Sequence, residues 1–158
     1  MVTRRKFLGL VGGGGLLAGG AVLGVFALPD GGHAAGPPVI RYGEERCAYC
    51  GMTIGAVRFA AAWRSSAGER HFDDIGCMVN ALRRRSPGDA TLHVHDSVDE
   101  SWVDAVTAVY VVSPSIRTPM AYGVAAFADA GAATRQGASL RVEALTWDVL
   151  LRDLERKD

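Results

Sequence analysis

Residues 68–89 read GERHFDDIGCMVNALRRRSPGD, and the period of the sequence changes partway along them. Glu69–Phe72 is a short strand-like run. Beyond it, Ile75, Met78, Val79 and Leu82 fall at i, i+3, i+4 and i+7, the spacing of one helix face. Asp73 or Asp74 can cap that helix. Arg83, Arg84 and Arg85 place cations at its C-terminal end, and Ser86-Pro87-Gly88 stops it. Working outward, Arg58–Trp63 reads as a strand, Ser65–Gly68 as a turn, and Thr91–His95 as a strand with alternating faces. The order strand, strand, helix, strand then recurs: Glu100–Asp104 and Thr107–Val112 as strands, Val124–Gln136 as an alanine-rich helix, and Leu140–Glu143 as a strand. A last helix over Thr146–Glu155 carries Trp147, Leu150, Leu151 and Leu154 on one face. The expected class is α+β, with two tandem strand-strand-helix-strand units plus a C-terminal helix.

These elements stand behind an N-terminal signal or anchor segment. The chain opens MVTRRKFL, and Phe7–Leu28 is a run of 22 uncharged residues with eight glycines. A basic start with paired arginines before an apolar run is the layout of a twin-arginine export signal. A buried helix is a poor alternative, because each glycine costs about 1 kcal/mol relative to alanine. His33-Ala34-Ala35 is a partial cleavage signal, and 22 apolar residues also suffice to span a bilayer. Residues 1–35 are therefore read as a twin-arginine-like signal peptide or membrane anchor, 36–45 as a linker, and 46–158 as one domain. The expected location is periplasmic, or the outer face of the cytoplasmic membrane.

The chain has 17 basic and 17 acidic residues; three of the bases and one of the acids precede residue 36, leaving 14 and 16. A net charge of −2 gives no electrostatic basis for nucleic acid binding. The glycine-rich run belongs to the leader, so no phosphate-binding loop is expected either.

Chemistry concentrates at Cys47-Ala48-Tyr49-Cys50-Gly51-Met52. Three cysteines are an odd number for an exported chain. A redox C-x-x-C works at a helix N-terminus, where the dipole lowers the first thiol's pKa, but Gly51–Gly55 is loop-like. Structural zinc wants four thiolate or imidazole ligands, and three cysteines with His93 or His95 could supply them without tight spacing. Met52 separates this stretch from both readings, because a thioether suits soft Cu(I) and serves zinc and thiol exchange poorly. Gly51 permits the turn that aims two sulfurs at one point. Met120, in the loop Thr118-Pro119-Met120-Ala121-Tyr122-Gly123, is a second methionine outside any helical stripe. Cys77 is read as a small buried residue in the first helical turn, Met78 as core, and His93 and His95 as ordinary strand residues.

Cys50-Gly51-Met52, then Ser101-Trp102-Val103-Asp104-Ala105 before the strand Ala108–Ser113, then Thr118-Pro119-Met120 and Ala126-Phe127, together resemble the NosL family. The resemblance covers about Cys47 to Leu154. It implies a fold of two similar strand-strand-helix-strand units related to organomercurial lyase. It also implies a copper chaperone for an exported copper enzyme such as nitrous oxide reductase, with Cu(I) on Cys50 and Met120. Family members are commonly lipoproteins, whereas this chain has no cysteine placed to carry lipid after its leader.

The expectation is thus an exported Cu(I) carrier, not an enzyme, with Cys50, Met120, Met52 and Cys47 as metal-ligating residues and a membrane tether if the leader is retained. Two alternatives stay open. One is a thiol-disulfide oxidoreductase using Cys47 and Cys50. The other is an organomercurial lyase-like enzyme, which needs a carboxylate beside its thiols, with Asp73 or Asp74 as the candidate.

Overall fold

The computed structural model describes residues 36–154. The expected leader at 1–35, and Glu155 at the expected end of the last helix, lie outside the described residues. Among those described, the elements are β1 (Ala61–Ser65), β2 (Gly68–Phe72), α1 (Ile75–Arg84), β3 (Thr91–His95), β4 (Trp102–Asp104), β5 (Val109–Val112), β6 (Val124–Phe127), α2 (Ala130–Leu140), β7 (Ala144–Leu145) and α3 (Trp147–Asp153). They form two antiparallel sheets, ordered β2-β1-β3-β4 and β6-β5-β7. Each sheet repeats one path: a hairpin, a helix, then a strand that returns beside the first strand of the hairpin. The tandem α+β architecture read from the sequence is present, with β4 as an added edge strand.

Several expected boundaries are corrected. Val57–Phe59 is a turn of 3₁₀ helix, and β1 starts only at Ala61, where pairing with Phe72 and Val94 begins. Glu100 has φ +62° and closes a turn after Asp96, so the strand there shortens to Trp102–Asp104. It pairs with β3 and completes the first sheet instead of opening the second unit. Thr107 lies in a turn held by Asp104, which delays β5 to Val109.

The largest correction is at Val124–Phe127, expected as the start of a helix and found as β6. All four residues are buried, because Val124 and Ala126 face the common core while Ala125 and Phe127 face α2. A strand covered on both faces loses its alternation, so its sequence cannot be told from a buried helix. The helix begins later, where the Asp129 carboxylate accepts from the Ala132 N–H at 2.7 Å. It ends at Arg141, in the left-handed region at φ +57°. That turn displaces the strand expected at Leu140–Glu143 to Ala144–Leu145.

The main core brings Trp63, Phe72 and Val94 of the first sheet against Ile75, Met78 and Val79 of α1, together with Tyr110, Val124, Trp147 and Leu150. Met78 is core, as its place on the helical stripe requires. Within residues 36–45, Ile40 is buried and the Tyr42 hydroxyl bonds His95 Nε2 at 2.8 Å. Arg83 does not serve its own helix end. Its guanidinium donates to the Leu151 and Leu154 carbonyls at 3.1 and 2.8 Å, satisfying the C-terminal end of α3.

Gly76, in the first turn of α1, is required by packing. A Cβ there would lie 2.1 Å from Tyr122 Cγ and 2.6 Å from Tyr122 Cβ. Alanine in a helix gains about 1 kcal/mol over glycine, but overpacking costs about 1–3 kcal/mol or more. The near end of Tyr122 has little freedom to retreat. Gly76→Ala is therefore expected to lower unfolding free energy by about 1–2 kcal/mol, measured by urea denaturation. A stabilised variant would show that the helix and the Tyr122 loop are not tightly apposed.

Candidate metal centre

The thiols gather where three segments meet. Residues 46–53 form a small hairpin loop: Arg46 bridges Thr53, the Cys47 N–H donates to the Met52 carbonyl at 2.8 Å, and the Gly51 N–H donates to the Cys47 carbonyl at 3.0 Å. Gly51 sits at φ +77°, a conformation that glycine adopts without steric cost. The Ala48 N–H donates to the His71 carbonyl at 2.9 Å, which pins the loop to β2. β2 leads through Asp73 and Asp74 directly into α1, and Cys77 lies in the first turn of that helix.

The two aspartates divide the work that either could have done. Asp74 is the helix cap, its Oδ1 accepting from the Gly76 N–H at 2.9 Å. Its Oδ2 accepts the Met120 N–H at 3.0 Å, and the Thr118 hydroxyl also hydrogen-bonds to it. Asp73 turns instead to the thiols, its Oδ1 accepting from Cys50 Sγ at 3.3 Å. Cys47, Cys50, Asp73 and Cys77 each offer a donor atom, and all four atoms lie within 4.8 Å of one another. Asp73 Oδ2 is buried without a hydrogen-bond partner among the described residues. An orphaned carboxylate oxygen in a nest of sulfur is costly unless something positive completes it. The donor set fits a metal ion.

Electrostatically the three thiols are unequal. Hydrogen bonding from the Cys77 thiol pulls the Cys47 pKa down to about 7, against burial, with help from the backbone N–H groups of Cys50 and Asp73. Burial above all pushes Cys50 up to about 12, although the Met52 N–H favours its thiolate. The hydrogen bond to Cys47, with burial, pushes Cys77 upward as well. The cluster is therefore built to hold one thiolate, at Cys47, with the other two sulfurs as donors.

Of the residues singled out from the sequence, the structure brings Cys47 and Cys50 together. Met52 is 51% exposed. Met120 is tied through its backbone to Asp74, the neighbour of Asp73, and its side chain packs on the core that also contains Cys47 and Cys77. Cys77 is fully buried, as expected, and is also a member of the cluster. Its place in the first turn of a helix preceded by two aspartates was the available signal. The candidate group contains no histidine. His95 is committed to the Glu100 carbonyl and Tyr42, and lies stacked on Trp102 with ring centroids 3.7 Å apart.

The model of the NosL family matches residues 38–149 of the chain. No curated protein matches it. Among solved structures, it is similar to the crystal structure of the copper chaperone NosL from Shewanella denitrificans, with a TM-score of 0.61 and 17% sequence identity over 71% of this chain and 93% of that one.

The thiol hierarchy is testable in the reduced, metal-free protein. Thiolate absorbance near 240 nm should show one cysteine titrating with a midpoint near 7, and the others well above it. Cys77→Ala deletes the donor that holds Cys47 down, so that midpoint should move up toward 9. An unshifted midpoint would mean that Cys77 does not face Cys47.

Proposed function

The chain belongs to the NosL family, and from that premise we propose that it is an exported copper chaperone. It takes Cu(I) as cargo on the sulfurs of Cys50, Cys47, Met120 and Met52 and delivers it to an exported copper enzyme, nitrous oxide reductase in the first instance. The observation that carries this reading is the cluster of three thiols around a partnerless carboxylate oxygen. It adds Cys77 and Asp73 to the residues expected from sequence. Soft monovalent copper prefers such sulfur donors, whereas zinc is served better by a complete tetrahedral set of thiolates and imidazoles.

The layering suits transfer. Cys47 and Cys77 are buried, Cys50 is half-buried and Met52 is exposed. An incoming sulfur can therefore share the ion with Cys50 before the inner ligands let go, and no bond within a substrate is broken. Residues 1–35 supply export, with or without a retained tether. Among the described residues, no helix is long and apolar enough to cross a membrane.

One observation favours a second reading. An organomercurial lyase-like enzyme needs a carboxylate beside its thiols, and Asp73 stands 3.3 Å from Cys50 Sγ. Release of benzene from phenylmercury, abolished in Asp73→Asn, would support that reading against the chaperone. The oxidoreductase has less in its favour, since Cys47 and Cys50 sit on a hairpin loop and not at a helix N-terminus.

Anaerobic titration of the reduced full chain against a Cu(I) chelator decides the main reading. It should bind one Cu(I), far more tightly than it binds Zn(II). Loss of an outer partner of a metal ligand already costs about 10–100-fold in affinity, so Cys50→Ser and Cys47→Ser, which remove ligands, should each cost more than about 100-fold. Met120→Leu keeps the volume and should weaken binding by less while leaving the fold intact. Zinc binding as tight as copper binding would overturn the proposal.

A further inference from the structure

We propose that the cleft beside the cysteine hairpin docks an acidic polypeptide segment of the protein with which metal is exchanged. The proposal rests on the chaperone reading for the partner's identity and on the cleft alone for its chemistry. The cleft encloses about 510 Å³ between the C-terminal end of α1, the β1–β2 hairpin and the loop carrying Cys47 and Cys50. Trp63 and Phe72 form its buried floor, and Tyr49 forms a wall. Among the described residues, its charged lining is Arg70, Arg84 and Arg85, with no acidic residue in the lining.

These three guanidinium groups differ from most others in the domain. Arg58, Arg64, Arg135 and Arg152 are paired with carboxylates, and Arg83 is spent on helix carbonyls. Arg70, Arg84 and Arg85 are exposed, and the ion pairs among the described residues involve none of them. Arg84 lies over the Tyr49 ring, 4.5 Å from its centroid, so its charge rests on an aromatic face and not on an anion. Three unneutralised guanidinium groups in a domain of net negative charge make a local positive field that a carboxylate-rich segment complements, with Arg suited to bidentate carboxylate contact.

Shape selects the occupant. The cations are distributed from β2 to the end of α1 around a concavity, which asks for several carboxylates on an extended chain. A flat bilayer cannot follow such a concavity. Location gives the cleft its use. Tyr49 lies between Cys47 and Cys50, so a segment seated there touches the loop that presents the outermost thiol. Partner capture is thereby placed beside metal exchange.

The test is calorimetric titration of the reduced, metal-free full chain with a hexaglutamate peptide at low ionic strength. Comparison titrations use hexaglutamine, inorganic phosphate and phosphatidylglycerol vesicles. Hexaglutamate should bind, and added salt should weaken it. Arg70→Glu with Arg85→Glu should weaken it at least about tenfold, whereas the same charge change made outside the cleft, Arg117→Glu with Arg135→Glu, should not. Cu(I) affinity, measured on the same variants, should be unchanged. The proposal is overturned if both variant pairs weaken binding equally, if hexaglutamine binds as well, if phosphate alone binds as tightly, or if vesicles are the preferred ligand. Loss of Cu(I) affinity in the cleft variant overturns it too, since the arginines would then be acting on the metal loop. A chain that binds hexaglutamate in the cleft but no Cu(I) supports the acidic-segment site and removes the chaperone reading. One that binds Cu(I) but not hexaglutamate removes the docking site alone.

Discussion

One buried carboxylate joins the two halves of this domain. Asp74 accepts the N–H of Gly76 in the first unit and the N–H of Met120 in the second, with the Thr118 hydroxyl as a further partner. Burial by itself costs an ionised carboxylate several kcal/mol, and hydrogen bonds to a charged group return about 1.5–3 kcal/mol each. The group is therefore tolerable only while both units supply their donors. Asp74 is fully buried, and that burial raises its pKa despite those bonds. From this anchor the neighbouring positions follow. Asp73 is turned toward the thiols, Cys77 falls in the first turn of the capped helix, and the Met120 loop is held against the helix start. Gly76 lets Tyr122 lie flat on that same turn.

The resulting centre is graded from inside to outside. Cys47 and Cys77 are buried, Cys50 is half-buried and bonded to Asp73, and Met52 borders solvent. A site that keeps its metal fills every coordination position with protein ligands, as structural zinc sites do. On the chaperone proposal, a thiol left half-buried on a hairpin loop, next to a cationic cleft, suits passage of the ion to a partner. The loop geometry that allows this depends on Gly51 for its turn and on β2 for its attachment.

Much of the fold was legible because local and tertiary preferences agree. α1 carries its cap, its apolar stripe and its stop within residues 73–88, and the structure uses all three. Legibility failed where tertiary context dominates. Val124–Phe127 is buried on both faces, so the alternation that marks a half-buried strand is missing. Of the thiol cluster, half was legible. A C-x-x-C-x-Met stretch points toward soft-metal chemistry, but only folding shows that Cys77, 27 positions after Cys50, returns to the same point. Two adjacent aspartates could each have capped α1, and sequence has no means of telling which one faces sulfur. The arginine triplet reads as one helix-end cluster, yet Arg83 closes α3 while Arg84 and Arg85 line a cleft.

Entry of the ion into this sulfur cluster can be read by X-ray absorption at the copper edge of the Cu(I)-loaded full chain. The expected nearest coordination sphere is dominated by sulfur, with sulfur lost from it in Cys47→Ser and in Cys50→Ser. The outer-shell scattering pattern of imidazole, or a spectrum unchanged by both substitutions, would place the copper elsewhere.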